Sequence, residues 1–257
     1  MRTARYLIAV VLGLAVTLGA VPAQAETTAC TPVTAVPTVI TVQGIHCLTS
    51  DLSTNMTSGK AIEIQTNDVV LDLNGHKLGG LAAGKDTLAY GISASNRQNI
   101  TIKNGSVRGF YIGIYLTDSG ASQGHVVEDI RADQNTASGI WVEGRGNTIR
   151  NNDVVATGGS TLLGGLQAFG IVAVGAGPQV LNNDVTDTKG GGGQASWAII
   201  FTRASDGLAV NNRITNADVG IEYDPANNST GKYRDNLTAG VPTANRFVGG
   251  TAVGIND

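Results

Sequence analysis

The sequence predicts an all-β solenoid, and three observations carry that prediction. The first is a repeated phrase. Ser138 to Asp153 reads SGIWVEGRGNTIRNND: a Gly-Ile pair, an alternating run through Trp141 and Val142, a turn at Gly144 and Gly146, and a short strand closed by Asn151 and Asn152. Tyr90-Gly91-Ile92, Phe169-Gly170-Ile171, Ala198-Ile199-Ile200 and Val219-Gly220-Ile221 open comparable phrases, each leading to a short apolar stretch and then to asparagine. The second is composition. Gly is 35 of 257 residues, while aromatics make up 5% and charged residues 14%; the usual glycine share is about 7%. The third is the alternation of Val, Ile and Thr between clusters of Gly, Asn and Asp, which marks many short strands separated by turns.

Taken in order, the first 25 residues read as a cleaved export signal. Arg2 and Arg5 supply a positive start, Leu7 to Ala20 an apolar run too short for a bilayer span, and Ala23-Gln24-Ala25 a cleavage site. Cleavage after Ala25 implies a periplasmic or secreted protein with no membrane span. In that oxidising setting Cys30 and Cys47, the only cysteines, are expected to pair. A loop of this size stabilises by roughly 3 kcal/mol in the chain-entropy view. The bridge would fasten a non-repeating cap segment over 26–60, with the repeats running from 61 to 257.

The Gly of each Gly-Ile pair, with Ala61 and Ala198 standing in, gives anchors at 61, 91, 113, 139, 170, 198 and 220. A period in the twenties with uneven steps fits a solenoid whose turns accept insertions. It is too irregular for a hexapeptide left-handed helix, too short for propeller blades, and lacks the helical spacing of a leucine-rich repeat. The long insertions are 79–89, 158–168 and 189–196, with a shorter one at 118–124. Such loops are where repeat scaffolds commonly carry function. The net charge of −3 gives no basic patch for nucleic acid.

With these repeats the chain resembles the right-handed parallel β-helices of the pectate-lyase-like superfamily over roughly Ala61 to Asn236. The resemblance implies a three-sheet solenoid of about seven rungs. It also implies a stacked column at the second turn, formed by Asn74, Asn104, Asp129, Asn152, Asn183, Asn212 and Asn236. Because side chains alternate along a strand, the residue after each inward Ile faces out. That predicts an exterior column of Glu63, Ser93, Tyr115, Trp141, Val172, Ile200 and Glu222. Tyr115 and Trp141 would be neighbours about 4.8 Å apart, a flat platform for the C–H face of a sugar or a lateral pair that shields the sheet.

Beside that column the first turn carries Arg97, Asp118, Glu143, Arg145, Arg203 and Asp224. An arginine can hold a sugar carboxylate and offset the charge that develops when the adjacent proton is removed. Arg145 and Arg203 with Glu143 as base therefore form the candidate catalytic set, and Tyr115, Trp141, Asp118, Arg97, Glu222 and Asp224 the candidate binding set. The superfamily's Asn-Thr-Asp, Asp-Asp, His-Gly and Arg-x-Pro-x-x-Arg signatures are absent. Asp224-Pro225 resembles the start of a mannuronan epimerase motif, and Ala226-Asn227 departs from it. His46, His76 and His125 fall far apart, and no metal site follows. The carboxylates are too scattered for Ca²⁺, which wants several oxygen ligands, so no cofactor is indicated. Two readings result: a protein that binds an acidic polysaccharide and cleaves it by β-elimination, or a non-catalytic structural or surface-interaction solenoid. Oligomeric state is open.

Overall fold

The computed structural model describes residues 30–257, so the expected signal sequence lies outside the described residues. Among the described residues every paired strand is parallel, and the only helices are single 3₁₀ turns. One face of the solenoid is a nine-stranded sheet. Its central strands are Lys60–Ile64, Tyr90–Ser95, Ile112–Thr117, Ser138–Glu143, Ala168–Ala176, Ser196–Ser205 and Val219–Tyr223. These are the seven expected anchors. Thr38–Ile40 and Phe247–Val248 extend the stack by a strand at either end.

The other two faces form a single 16-stranded sheet. They merge because Ile100–Arg108 and Val126–Asp133 run unbroken around the second turn, where later rungs divide into two short strands such as Thr148–Arg150 and Asp153–Val155. The expected cap segment contributes strands of its own. Gly44–Leu48 pairs with Val69–Asp72, and Leu52–Ser53 with Lys77–Gly79. The Cys30–Cys47 disulfide ties Thr31–Val33 to this first coil.

The Gly-Ile phrase has a direct physical cause. Ile62, Ile92, Ile114, Ile140, Ile171, Ile199 and Ile221 stand in register, and each is fully buried along the axis. Burying a side chain of this size contributes about 1.5–3 kcal/mol. The preceding glycine answers a different constraint. A Cβ on Gly91 would sit 2.4 Å from the Gly113 carbonyl, and one on Gly170 2.5 Å from the Ala198 carbonyl. The backbones of successive rungs close on each other at this corner, and in the seven central strands it is always Gly or Ala.

At the second turn the structure separates two columns that the sequence reading had merged. Asn152, Asn183, Asn212 and Asn236 form a buried ladder in which each Nδ2 donates to the next Oδ1 at 2.9–3.2 Å, ending on Asn256. Asn74, Asn104 and Asp129 do not belong to it. They stand with Asn151, Asn182, Asn211 and Asp235 in an exposed outer column whose members all have positive φ. Asparagine and aspartate tolerate that backbone region better than other residues that carry a Cβ. In the first rungs Gly105 and Ile130 occupy the ladder's place, which is why the strand passes through there without a break.

Candidate functional site

The outer face of the nine-stranded sheet carries the expected column: Glu63, Ser93, Tyr115, Trp141, Val172, Ile200 and Glu222 are cross-strand partners in that order. A second column stands beside it. At the third turn both Gly and Ile of the pair face the core, so the residue before the glycine leaves on the outside. This places Tyr90, Ile112, Ser138, Phe169, Trp197 and Val219 in register. The two columns supply five rings, and Tyr111, at the turn before Ile112, adds a sixth to a continuous run. Tyr111 meets Tyr90 edge-on at 6.0 Å, Tyr90 stacks on Tyr115 at 4.8 Å, Trp141 stands 6.0 Å from Tyr115, Phe169 6.2 Å from Trp141, and Trp197 stacks on Phe169 at 5.2 Å. Trp141, Phe169 and Trp197 also roof an apolar cluster of Val172, Val174 and Ile200 outside the core.

The flat Tyr115–Trp141 platform is not what forms. Their rings lie at 88° to each other, because Trp141 is turned by a hydrogen bond from its Nε1 to Glu143 Oε1 at 2.9 Å. Trp197 is held in the same way, its Nε1 donating to Glu222 Oε2 at 2.5 Å. The stacked surfaces are instead Tyr90 with Tyr115 and Phe169 with Trp197, each pair within about 21° of parallel.

The insertions 158–168 and 189–196 gather at the third turn and wall a cleft of about 360 Å³ against this aromatic row. Tyr111, Trp141 and Phe169 line it from the sheet, and Leu163, Leu166, Gln167 and Gln194 from the loops. The first insertion, 79–89, braces the wall from below. Asp86 accepts hydrogen bonds from the Thr161 backbone N–H at 2.7 Å, the Thr161 hydroxyl at 2.8 Å and the Ser160 hydroxyl at 3.2 Å. The Thr161 N–H, then its hydroxyl, hold the Asp86 carboxyl below its ordinary pKa. The brace is therefore intact above the usual carboxylate range and lost only as pH falls through the lowered value. Asp86→Ala should speed amide exchange at Thr161 to Leu166 while the strands stay protected; unchanged exchange there would show that the loop holds itself.

At the first turn the structure gathers some of the predicted residues and separates others. Glu143, whose side chain is 13% exposed, is the hub. Its Oε1 accepts from Trp141 and, at 3.4 Å, from Arg203; its Oε2 accepts from the Asp118 N–H at 3.0 Å. Arg203 reaches it through a β-bulge. Ala173 pairs with Phe201 and Gly175 with Ala204, leaving Thr202 and Arg203 opposite a single residue, and Arg203 takes φ +49°. That conformation is costly for a residue with a side chain, and it aims Arg203 across the intervening rung. Asp118 is committed to its own turn, accepting from the Gly120 and Ser122 N–H groups, and that from Ser122 chiefly keeps its pKa low. Asp224 caps the 3₁₀ turn Pro225–Asn227 and accepts from Thr202. Burial opposes its charge, but bonds from Asn227, Thr202 and Ala226 outweigh burial and lower its pKa. Arg145 is exposed and makes no ion pair among the described residues. Arg97 is partly buried, with an unpartnered Nε.

Below this turn Ser122 and His125 meet at 2.7 Å, both buried. They do not form a nucleophile and base. His125 Nδ1 accepts the Ile100 N–H at 3.2 Å, so the proton of a neutral ring is on Nε2 and points at Ser122. Burial pushes the His125 pKa down to about 4.

The sequence matches the family described as right handed beta helix region over residues 44–198 and 90–254, two overlapping matches that together span most of the chain. It belongs to the right-handed β-helix family. No curated protein matches the sequence. Among solved structures the β-helix is similar to a double mutant of the periplasmic alginate epimerase AlgG (TM-score 0.41, 10% identity, covering 83% of this chain and 58% of that one). It is also similar to Dettilon tailspike protein (0.41, 12%, 87% and 60%) and to the A-module of Azotobacter vinelandii mannuronan C-5 epimerase AlgE4 (0.36, 11%, 83% and 81%). The chain thus spans less than two thirds of the first two.

Tyr90, Tyr111, Phe169 and Trp197 of this β-helix were missed by sequence reasoning, as were Gln167 and Gln194. The signal for three of the rings is local: Tyr90, Phe169 and Trp197 each stand immediately before an anchor residue. Strict alternation assigns that place to the interior, and the corner reverses it. Among the described residues no helix is long and apolar enough to cross a membrane.

Proposed function

We propose that this β-helix binds a polysaccharide along the aromatic row and in the cleft beside it. The observation that carries the reading is the run of six rings on the outer face. They spread over roughly 19 Å of stacked rungs, at the spacing of neighbouring strands. The core does not need them, for the interior is already filled by the isoleucine column. Partly exposed rings offer C–H-binding faces to successive sugar units, and the cleft adds the concavity typical of ligand sites. The disulfide is consistent with work outside the cytoplasm.

Binding is favoured over β-elimination by the state of the expected catalytic set. A base needs a free lone pair beside a cation that can hold a uronate. Glu143 already accepts three hydrogen bonds, which leave it one lone pair on a side chain only 13% exposed, and Arg203 is turned onto Glu143 rather than toward a ligand. A protein partner is the second reading, favoured by the apolar Val172, Val174 and Ile200 cluster under the two tryptophans.

Titrating oligosaccharides against the protein while following tryptophan emission tests the proposal. Trp141→Ala should weaken binding by roughly ten- to a hundredfold, the equivalent of about 1.4–2.8 kcal/mol, with Trp197 left as the reporter. Unchanged affinity would remove the aromatic row as the site, and failure of every glycan to bind would leave the protein-partner reading.

A further inference from the structure

The chemistry of the cleft selects among polysaccharides. Its polar groups are neutral: the amides of Gln167 and Gln194, the Ser138 hydroxyl and the Tyr111 phenol. Among the described residues no Asp, Glu, Lys, Arg or His lines it. Trp141 and Phe169 complete the floor. A carboxylate taken into such a space gives up part of its hydration and gains no cation to offset the loss. A hydroxyl loses little, because an amide side chain can both donate to it and accept from it.

The surroundings reinforce this. Each of the two tryptophans is hydrogen-bonded to a carboxylate, Trp141 to Glu143 and Trp197 to Glu222. Arg203 offsets the charge of Glu143, whereas Glu222 has no ion pair among the described residues. The aromatic row therefore lies in a field that opposes a second negative charge. Arg145, the exposed cation of the first turn, is on the far edge of the sheet from the loops that wall the cleft.

Resting on the polysaccharide-binding reading, we infer that the ring seated in this cleft is an uncharged pyranose, so that the bound polysaccharide carries a neutral hexose or N-acetylhexosamine rather than uronate at every position. Gln167 and Gln194 recognise its hydroxyls, and Phe169 and Trp141, at 77° to each other, form an apolar corner against which one C–H face and an edge of the ring pack.

The test compares neutral gluco-, manno-, galacto- and N-acetylglucosamine oligosaccharides with oligogalacturonate and oligomannuronate of equal length. At least one neutral series should bind at least about tenfold more tightly than either uronate. Its affinity should also change less than twofold between about 0.05 and 0.5 M salt, since no ion pair is there to be screened. Gln194→Ala and Gln167→Ala should each weaken neutral binding about tenfold without altering the tryptophan emission of the free protein. Tighter uronate binding that falls with salt would overturn the inference and leave polysaccharide binding standing. Neutral binding unaffected by either glutamine substitution would also overturn it, by placing the ligand elsewhere. No binding by any series would overturn both.

Discussion

Asn183→Leu is expected to cost about 5 kcal/mol of folding stability, enough to unfold a domain of ordinary stability. The two side chains share a branched four-atom shape, leucine being the bulkier, so the change removes hydrogen bonds and crowds the fully buried site rather than creating a cavity. Asn183 Oδ1 accepts from both the backbone N–H and Nδ2 of Asn152, and its Nδ2 donates to the Ile149 carbonyl at 3.0 Å and to Asn212 Oδ1. Leucine strands the partners of these bonds in a dry interior, at about 1–3 kcal/mol for each unsatisfied group. The neighbouring Asn182→Ala is the control. That residue is exposed with φ +56°, and its replacement should cost about 1 kcal/mol in backbone strain. Urea unfolding of both variants checks the pair; similar losses would mean that the ladder adds nothing beyond its turn.

The second large effect is on acid stability. His125 is neutral in the folded protein, with its pKa down at about 4 from an ordinary 6.5, chiefly through burial and against the opposing pull of Asp118. Below pH 6.5 the unfolded chain takes up a proton that the folded chain refuses. The stability contributed by the neutral ring is therefore complete above pH 6.5, declines as pH falls toward 4, and has gone below that. The shift corresponds to about 3 kcal/mol. Protonation would also place a second N–H against the Ile100 amide that Nδ1 now accepts. His125→Gln should remove about one proton from the slope of unfolding free energy against pH in this window. Parallel slopes for the two proteins would refute the assignment.

Much of the architecture was legible because one physical demand recurs in every coil. The isoleucine column had to be apolar, and the corner before it had to be small. Gly91-Ile92, Gly139-Ile140 and Gly170-Ile171 therefore announce the register, and the exterior column followed from it residue for residue. The same periodicity misled at the turns. Asn151 and Asn152 are adjacent and both asparagine, yet one adopts positive φ in solvent while the other is buried in the ladder. Nothing in their identity assigns the roles, and Asn74, Asn104 and Asp129 were placed in the wrong column as a result.

The site was half legible. Trp141, Tyr115, Glu143 and Arg203 were singled out and do meet, the last pair at 3.4 Å. Their chemistry was not legible, because it depends on where hydrogen bonds go: a carboxylate that reads as a base in sequence is a clamp for an indole in space. The cleft was out of reach for a different reason. It is made by contacts between loops about 75 residues apart, such as Asp86 with Thr161, and insertions carry no repeat to set their register.

The extra residue at Thr202–Arg203 also bears on how such a chain can change its length. Opposite it, Val174 stands alone between Ala173 and Gly175. Deleting Arg203 would restore a one-to-one pairing and relieve its unfavourable φ, while releasing Glu143 from its only cation among the described residues. A frame-preserving loss of three nucleotides would thus leave the rung count intact and alter the charge beside Trp141. In a solenoid of this design, the edges of the sheet can gain or lose single residues as a means of retuning a surface, with the spine unaffected.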